Sequence, residues 1–243
     1  MTDSEILQRC RPEDLSKATD VRGLFIGGKM LTNYEHLNLE GCVLYNCFPK
    51  IGKGALEINP ATTIQQVSLV DADLQDAMLF ELDLHDALLT NTNLSGAFIQ
   101  NSNVRNANLE SAVLYATTFK FSECQNADLK NSNLKYATLR ATNFEAADFE
   151  SANLGFADID GCQFRNSKLK NTDLSVSKLI NSDFEGADFR GADFSGASLL
   201  FSSFNSADLR DTNIQKASII GCSFDSDTKL PVGVSLEQLL RVK

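Results

Sequence analysis

The chain has 243 residues, 43% of them hydrophobic, a formal charge of −10, six cysteines and no tryptophan. That length and apolar content suffice for one large buried core. The negative charge excludes a generic binder of nucleic acid or anionic membrane, which would present a basic surface.

No run of eighteen apolar residues offers a membrane span, and the charged start "MTDSEILQRCRPEDLSKATD" lacks the basic-then-apolar order of a secretion signal. A soluble, cytoplasmic protein is expected. Within that start, Thr2 and Glu5 form a capping-box pattern, so the spacing predicts a short helical cap within 1–20. Next, "GLFIGGKM" (Gly23 to Met30) approaches the phosphate-binding pattern G-x4-G-K-[ST]. Met30 stands where a hydroxyl would ligate magnesium, and no helix is evident after it, so nucleotide binding is not expected. Tyr34, Leu39 and Leu44 are five apart and mark a first irregular coil over 21–44. The stretch "YNCFPKIGKGALEINPA" (45–61) departs from that spacing with two prolines, two glycines and two lysines, and Ile64 resumes it in phase. An inserted loop with re-entry is predicted over 45–66. Lys50 and Lys53 are its candidate functional residues, because binding concentrates on loops carried by rigid scaffolds; an inherited loop of no consequence is the other reading.

From Leu69 to Phe224, thirty-two consecutive positions at intervals of five read Leu, Phe, Ile or Val, with Cys124 the one exception. Two residues before each centre stands Ala, Ser, Thr or Cys, save at Val67 and Leu82. Asp or Asn fills 17 of the 32 positions just before the centre, which suits a corner where a short polar side chain caps a backbone amide. Units such as "ADLQD", "ANLES", "ADLKN", "ANLGF" and "ADFRG" resemble the pentapeptide-repeat family. The resemblance covers two thirds of the chain and implies an all-β fold, a right-handed quadrilateral β-helix in which each unit forms one side and four units close a coil. It implies about eight main coils over 67–226, with short helical caps at the two ends.

Residues twenty apart should then share a column, and they do. The centres Leu84, Val104, Cys124, Phe144, Phe164, Phe184, Phe204 and Phe224 end in five phenylalanines. The small position of the same side holds Ser, Thr or Cys after Leu82 and never Ala. A narrow bore filled to crystal-like density couples the small and large choices on each side. At about 4.8 Å per coil the rod would be roughly 38 Å long. The scattered Cys10, Cys42, Cys47, Cys124, Cys162 and Cys222 form no metal-site pattern and read as reduced thiols. His36 and His85 fall on outward positions. No catalytic, cofactor or metal site is expected, and the protein is expected not to be an enzyme.

Function must therefore be read from the outward positions. Sides opening at Val67, Ala72, Ala77 and Leu82, hereafter the first to fourth sides, sum to charges of −3, −2, 0 and −5. On the neutral third side Ile180, Leu200 and Ile220 form an apolar stripe beside Phe201. Either the C-terminal segment 227–243 covers it through Leu236, Leu239 and Leu240, or it is a homodimer contact, or it meets another protein. Ser235 and Gln238 repeat the capping-box pattern ahead of those leucines. Tyr115, Tyr136, Phe156 and Val176 line a second candidate surface, unless they lie flat over neighbouring corners. The expected function is a non-catalytic binding or scaffold rod with an unidentified protein partner. Resemblance to the family also implies an alternative, a DNA mimic that protects DNA gyrase or another topoisomerase. A full imitation of duplex DNA over ~38 Å needs roughly 22 negative charges, against −5 on the most acidic side.

Overall fold

The computed structural model describes residues 69–80, 82 and 84–240, together with the strands Phe25–Gly27 and Val43–Tyr45. The expected N-terminal cap and most of the 45–66 insertion, including Lys50 and Lys53, lie outside the described residues.

Ten short parallel strands form one sheet in sequence order. They are β1 (Phe25–Gly27), β2 (Val43–Tyr45), β3 (Met78–Phe80), β4 (Phe98–Gln100), β5 (Thr118–Lys120), β6 (Thr138–Arg140), β7 (Asp158–Asp160), β8 (Lys178–Ile180), β9 (Ser198–Leu200) and β10 (Ser218–Ile220). From β3 onward each strand pairs with the residues twenty positions on, as in Met78 with Phe98. Bridges at the same interval join the other sides: Asp73 with Asn93, Leu88 with Asn108 and Asn103 with Glu123. Pairing at interval twenty on all four sides establishes the four-sided coil, and the molecule is an all-parallel β-solenoid. Leu44 pairs with Leu79, so β2 sits directly beneath β3 and the register of the first coil joins the main rod across the insertion.

Each corner is a tight turn with one residue in the left-handed region, from Asp71 (φ 55°) to Asp211 (φ 61°), recurring every fifth position. Three corners of each coil are closed by a backbone bond from the small residue to the preceding centre, as in Ala112 N–H to Leu109 C=O at 3.0 Å. With positive φ at the third residue these match type II turns. Asp and Asn before the centres cap the amide two residues on, as in Glu110 to Asn108 at 2.9 Å and Ser175 to Asp173 at 2.9 Å. The capping role expected of them is the one they have.

The fourth corner, after each strand, is built differently. Here the small position is the column without alanine, and its hydroxyls replace the missing turn bond. Ser182 Oγ donates to Ile180 C=O at 2.8 Å and accepts the amide of Cys162 at 3.1 Å, while the amide of Ser182 donates to Ser202 Oγ at 3.1 Å. Leu82 and Ser102 use Ser102 and Ser122 in the same way. Alanine would leave a buried amide without an acceptor.

Leucine, isoleucine and phenylalanine centres fill the bore with alanine, serine and threonine between them. Phe144, Phe164, Phe184, Phe204 and Phe224 stack at centroid spacings of 5.0–5.5 Å and interplanar angles of 13–21°. Isolated rings favour offset or edge-on pairs; here the coil spacing imposes the stack. Cys124, Cys162 and Cys222 are buried free thiols, and burial pushes Cys162 up to about 12.

At the far end the rod closes gradually. Ile214–Lys216 forms a single 3-10 turn in place of a corner. Lys229 pairs with Asp208 across 21 residues rather than twenty, so "TKL" adds one more side with one extra residue ahead of it. A short helix, α1 (Leu236–Leu240), follows, and its Ser235 and Gln238 make both capping-box bonds, at 2.8 and 3.3 Å.

Candidate interaction surfaces

The C-terminal residues separate by depth. Leu239 joins the core, with Ile219, Phe224, Leu230 and Val234 packed against it, and α1 touches β10. The segment thus lies over the end of the bore. Leu236, Ile180 and Leu200 are half-buried, while Leu240, Ile220 and Phe201 are exposed. Phe201 is 63% exposed, and its ring lies over Gly221 of the next coil, where an added Cβ would meet it at 2.5 Å.

Tyr115, Tyr136, Phe156 and Val176 occupy the corner leading into the third side. Tyr115 meets Tyr136 edge-on at 5.5 Å, and Tyr136 stacks on Phe156 at 5.0 Å. Lys135 Nζ sits over both of the latter rings, at 5.5 and 5.3 Å. All four side chains are 42–48% exposed, so the rings touch one another and still face solvent. Sequence reasoning missed that Met78 and Phe98, paired at the start of the third side, continue this line toward the N-terminus. Folding the outward positions at interval twenty would have found them.

The charged surface is extensively paired. On the first side Asp148 lies 3.5 Å from Lys130 and 3.0 Å from Lys168, and Asp208 sits among Arg190, Arg210 and Lys229. Despite partial burial, the Lys168 hydrogen bond helps hold the Asp148 carboxyl below its usual range. On the fourth side, the most acidic, Arg105 pairs with Glu123 at 3.1 Å, and Arg165 pairs with Asp183 at 2.5 Å and Glu185 at 3.2 Å. His85 sits 3.8 Å from Asp86. Phe25 to Gly27, inside the near-match to a phosphate loop, form β1 in parallel pairing with β2.

A closed parallel stack with a five-residue side and a twenty-residue coil defines the class of quadrilateral solenoids. The pentapeptide-repeat model matches residues 62–96, 96–135, 122–159, 157–196 and 187–225 in eight copies, and the chain belongs to that family. Among solved structures it is similar to a trypsin-treated variant of QnrB1, a plasmid-mediated fluoroquinolone resistance protein, with 21% identity and a TM-score of 0.40 over 65% of this chain and 90% of that one. It is also similar to HetL, a pentapeptide-repeat protein involved in heterocyst differentiation regulation from the cyanobacterium Nostoc sp. strain PCC 7120, with 18% identity and a TM-score of 0.32 over 88% and 90% of the two chains. No curated protein sequence matches the chain.

Proposed function

We propose that the chain is a non-catalytic binding rod that acts through its outer surface and associates with a second copy at its C-terminal end. The observation that carries this reading is the apolar end beside the edge strand β10: Phe201, Ile220 and Leu240 stay exposed although α1 packs on that strand. An edge strand with exposed apolar neighbours is a template for pairing. Light scattering of the intact chain should give a dimer mass at micromolar concentration. The double variant Phe201→Asn, Ile220→Lys should give a monomer with an unchanged melting curve. A concentration-independent monomer for the intact chain would remove the C-terminal contact.

The DNA-mimic alternative asks for a continuous acidic ribbon. Arg105 and Arg165 interrupt the fourth side by pairing with its acids, so the expected result of a gyrase supercoiling assay with an inhibitor present is no protection.

A further inference from the structure

Met78, Phe98, Tyr115, Tyr136, Phe156 and Val176 place one large apolar residue on each of six successive coils along the corner between the second and third sides. By the strand spacing the seam is about 24 Å long. Two independent features mark it.

The first is strain. Tyr136, Phe156 and Val176 have φ of 62°, 61° and 58°, positions that the same corner fills with Asp76, Gly96 and Gly196 on other coils. A β-branched or bulky residue in the left-handed region is an outlier, and such outliers collect at functional surfaces. The repeat itself would be served better by Asn or Gly.

The second is charge. Among the described residues nine cations, Arg105, Lys130, Arg140, Arg165, Lys168, Lys170, Arg190, Arg210 and Lys229, sit within 4.0 Å of a carboxylate. Lys120, Lys135, Lys178 and Lys216 have no carboxylate within 4.0 Å among those residues, although Lys216 still acts on Asp193 at longer range. All four lie on the third side or the corner entering it: Lys120, Lys135 and Lys178 flank the seam, and Lys216 stands two coils beyond its Val176 end. Lys120 covers the Phe98 ring at 5.1 Å, as Lys135 covers Tyr136 and Phe156. In a chain of charge −10, the described lysines without a carboxylate within 4.0 Å gather around the exposed aromatic residues, on the two adjacent sides that together are the least negative, at −2.

We propose that the seam docks an acidic amphipathic helix laid along the rod axis, its apolar stripe on the aromatic corner and its carboxylates reaching the flanking lysines. This deepens the binding-rod reading and rests on it. Spacing selects the helix: ring centroids repeat at 5.0–5.5 Å, close to the 5.4 Å helical pitch, whereas same-face residues of a strand repeat at about 6.7 Å. Single-stranded nucleic acid also joins aromatic residues with lysines, but Tyr136 and Phe156 are stacked on each other, which leaves no gap for a base, and the chain as a whole repels phosphate.

The probe is a fluorescein-labelled peptide of about eighteen residues, long enough to span the seam as a helix, with Leu at helical spacing and Glu elsewhere. Its counterpart carries Lys in place of Glu. Anisotropy should show the Glu peptide binding at least tenfold more tightly than the Lys peptide, with the preference shrinking as salt rises. The triple variant Tyr136→Asn, Phe156→Asn, Val176→Gly should bind at least tenfold more weakly while its melting temperature holds or rises, because strain is removed. A structural staple would behave oppositely, melting several degrees lower with affinity unchanged, and that result overturns the proposal. So does equal binding of the two peptides, no binding below millimolar, tighter binding of a twelve-residue oligouridylate, or a change of solution mass in the triple variant. A chain that dimerises at its C-terminal end yet ignores both peptides would sink the seam and leave the binding-rod reading standing.

Discussion

Serine and alanine are near-equivalents at the small position of three sides and opposites on the fourth. Ser182 illustrates the difference, since it satisfies the carbonyl of Ile180 two residues back and the amide of Cys162 on the preceding coil, where no turn bond exists. Ser182→Ala should therefore cost about 1–3 kcal/mol, the penalty of a buried unpaired amide, measurable by thermal or denaturant unfolding; Ser182→Thr should cost less. Gly221→Ala should also destabilise: φ is +66° and the new Cβ would strike the Phe201 ring. The absence of alanine from this column was visible in the chain alone. Its cause was not, because one must first know which corner lacks a backbone bond. The four lysines of the seam were equally hidden, for pairing is a property of neighbours twenty residues away and of side-chain reach.

At the level of elements, the five-residue period foretold four like sides, and the structure makes them unlike. On three sides the turn begins at the centre itself, which reduces the extended run to a single bridged residue. On the third side the residue after the centre stays extended, as at Gln100 and Lys120, and three-residue strands result. The phenylalanine column is legible in the sequence because it depends only on spacing and volume. Phe164 lies 5.1 Å from Phe144 and 5.0 Å from Phe184, so Phe164→Ala should cost about 3–5 kcal/mol in an unfolding titration. The last coil carries a pH-dependent fastening. Asp225 accepts the amides of Ser206 and Thr228 at 2.8 and 2.9 Å, and bonds led by the Ser206 amide hold its carboxyl down at about 2. A folded value below the unfolded one near 3.9 stabilises the closed end above pH 4, and this stabilisation is lost as pH falls through about 2. Amide exchange at Ser206 and Thr228 should accelerate over that range in the native chain and lose this pH dependence in Asp225→Asn.

For the whole molecule, the unit of folding is the coil of twenty residues rather than the repeat of five. Deleting 147–166 keeps every column in phase and should yield a shorter rod with a single cooperative melt. Deleting 147–151 preserves the fivefold period but brings Ala187 and Ala207 into the column of Thr142, where a hydroxyl or thiol stands on every coil after Leu82. That variant should melt about 4–24 °C below the twenty-residue deletion, given two lost acceptors at ~1–3 kcal/mol each and ~2–4 °C per kcal/mol at this size. Circular dichroism on both chains decides the matter. Constant pairing across twenty residues also sets the order in which the rod can be made. A ribosome emitting ~5–20 residues per second delivers a new coil every ~1–4 seconds, while a loop of this size closes in well under a millisecond. Each coil can find its bed on the one before it long before its successor leaves the exit tunnel, so the nascent rod never carries much more than one undocked coil and offers other nascent chains little to aggregate with.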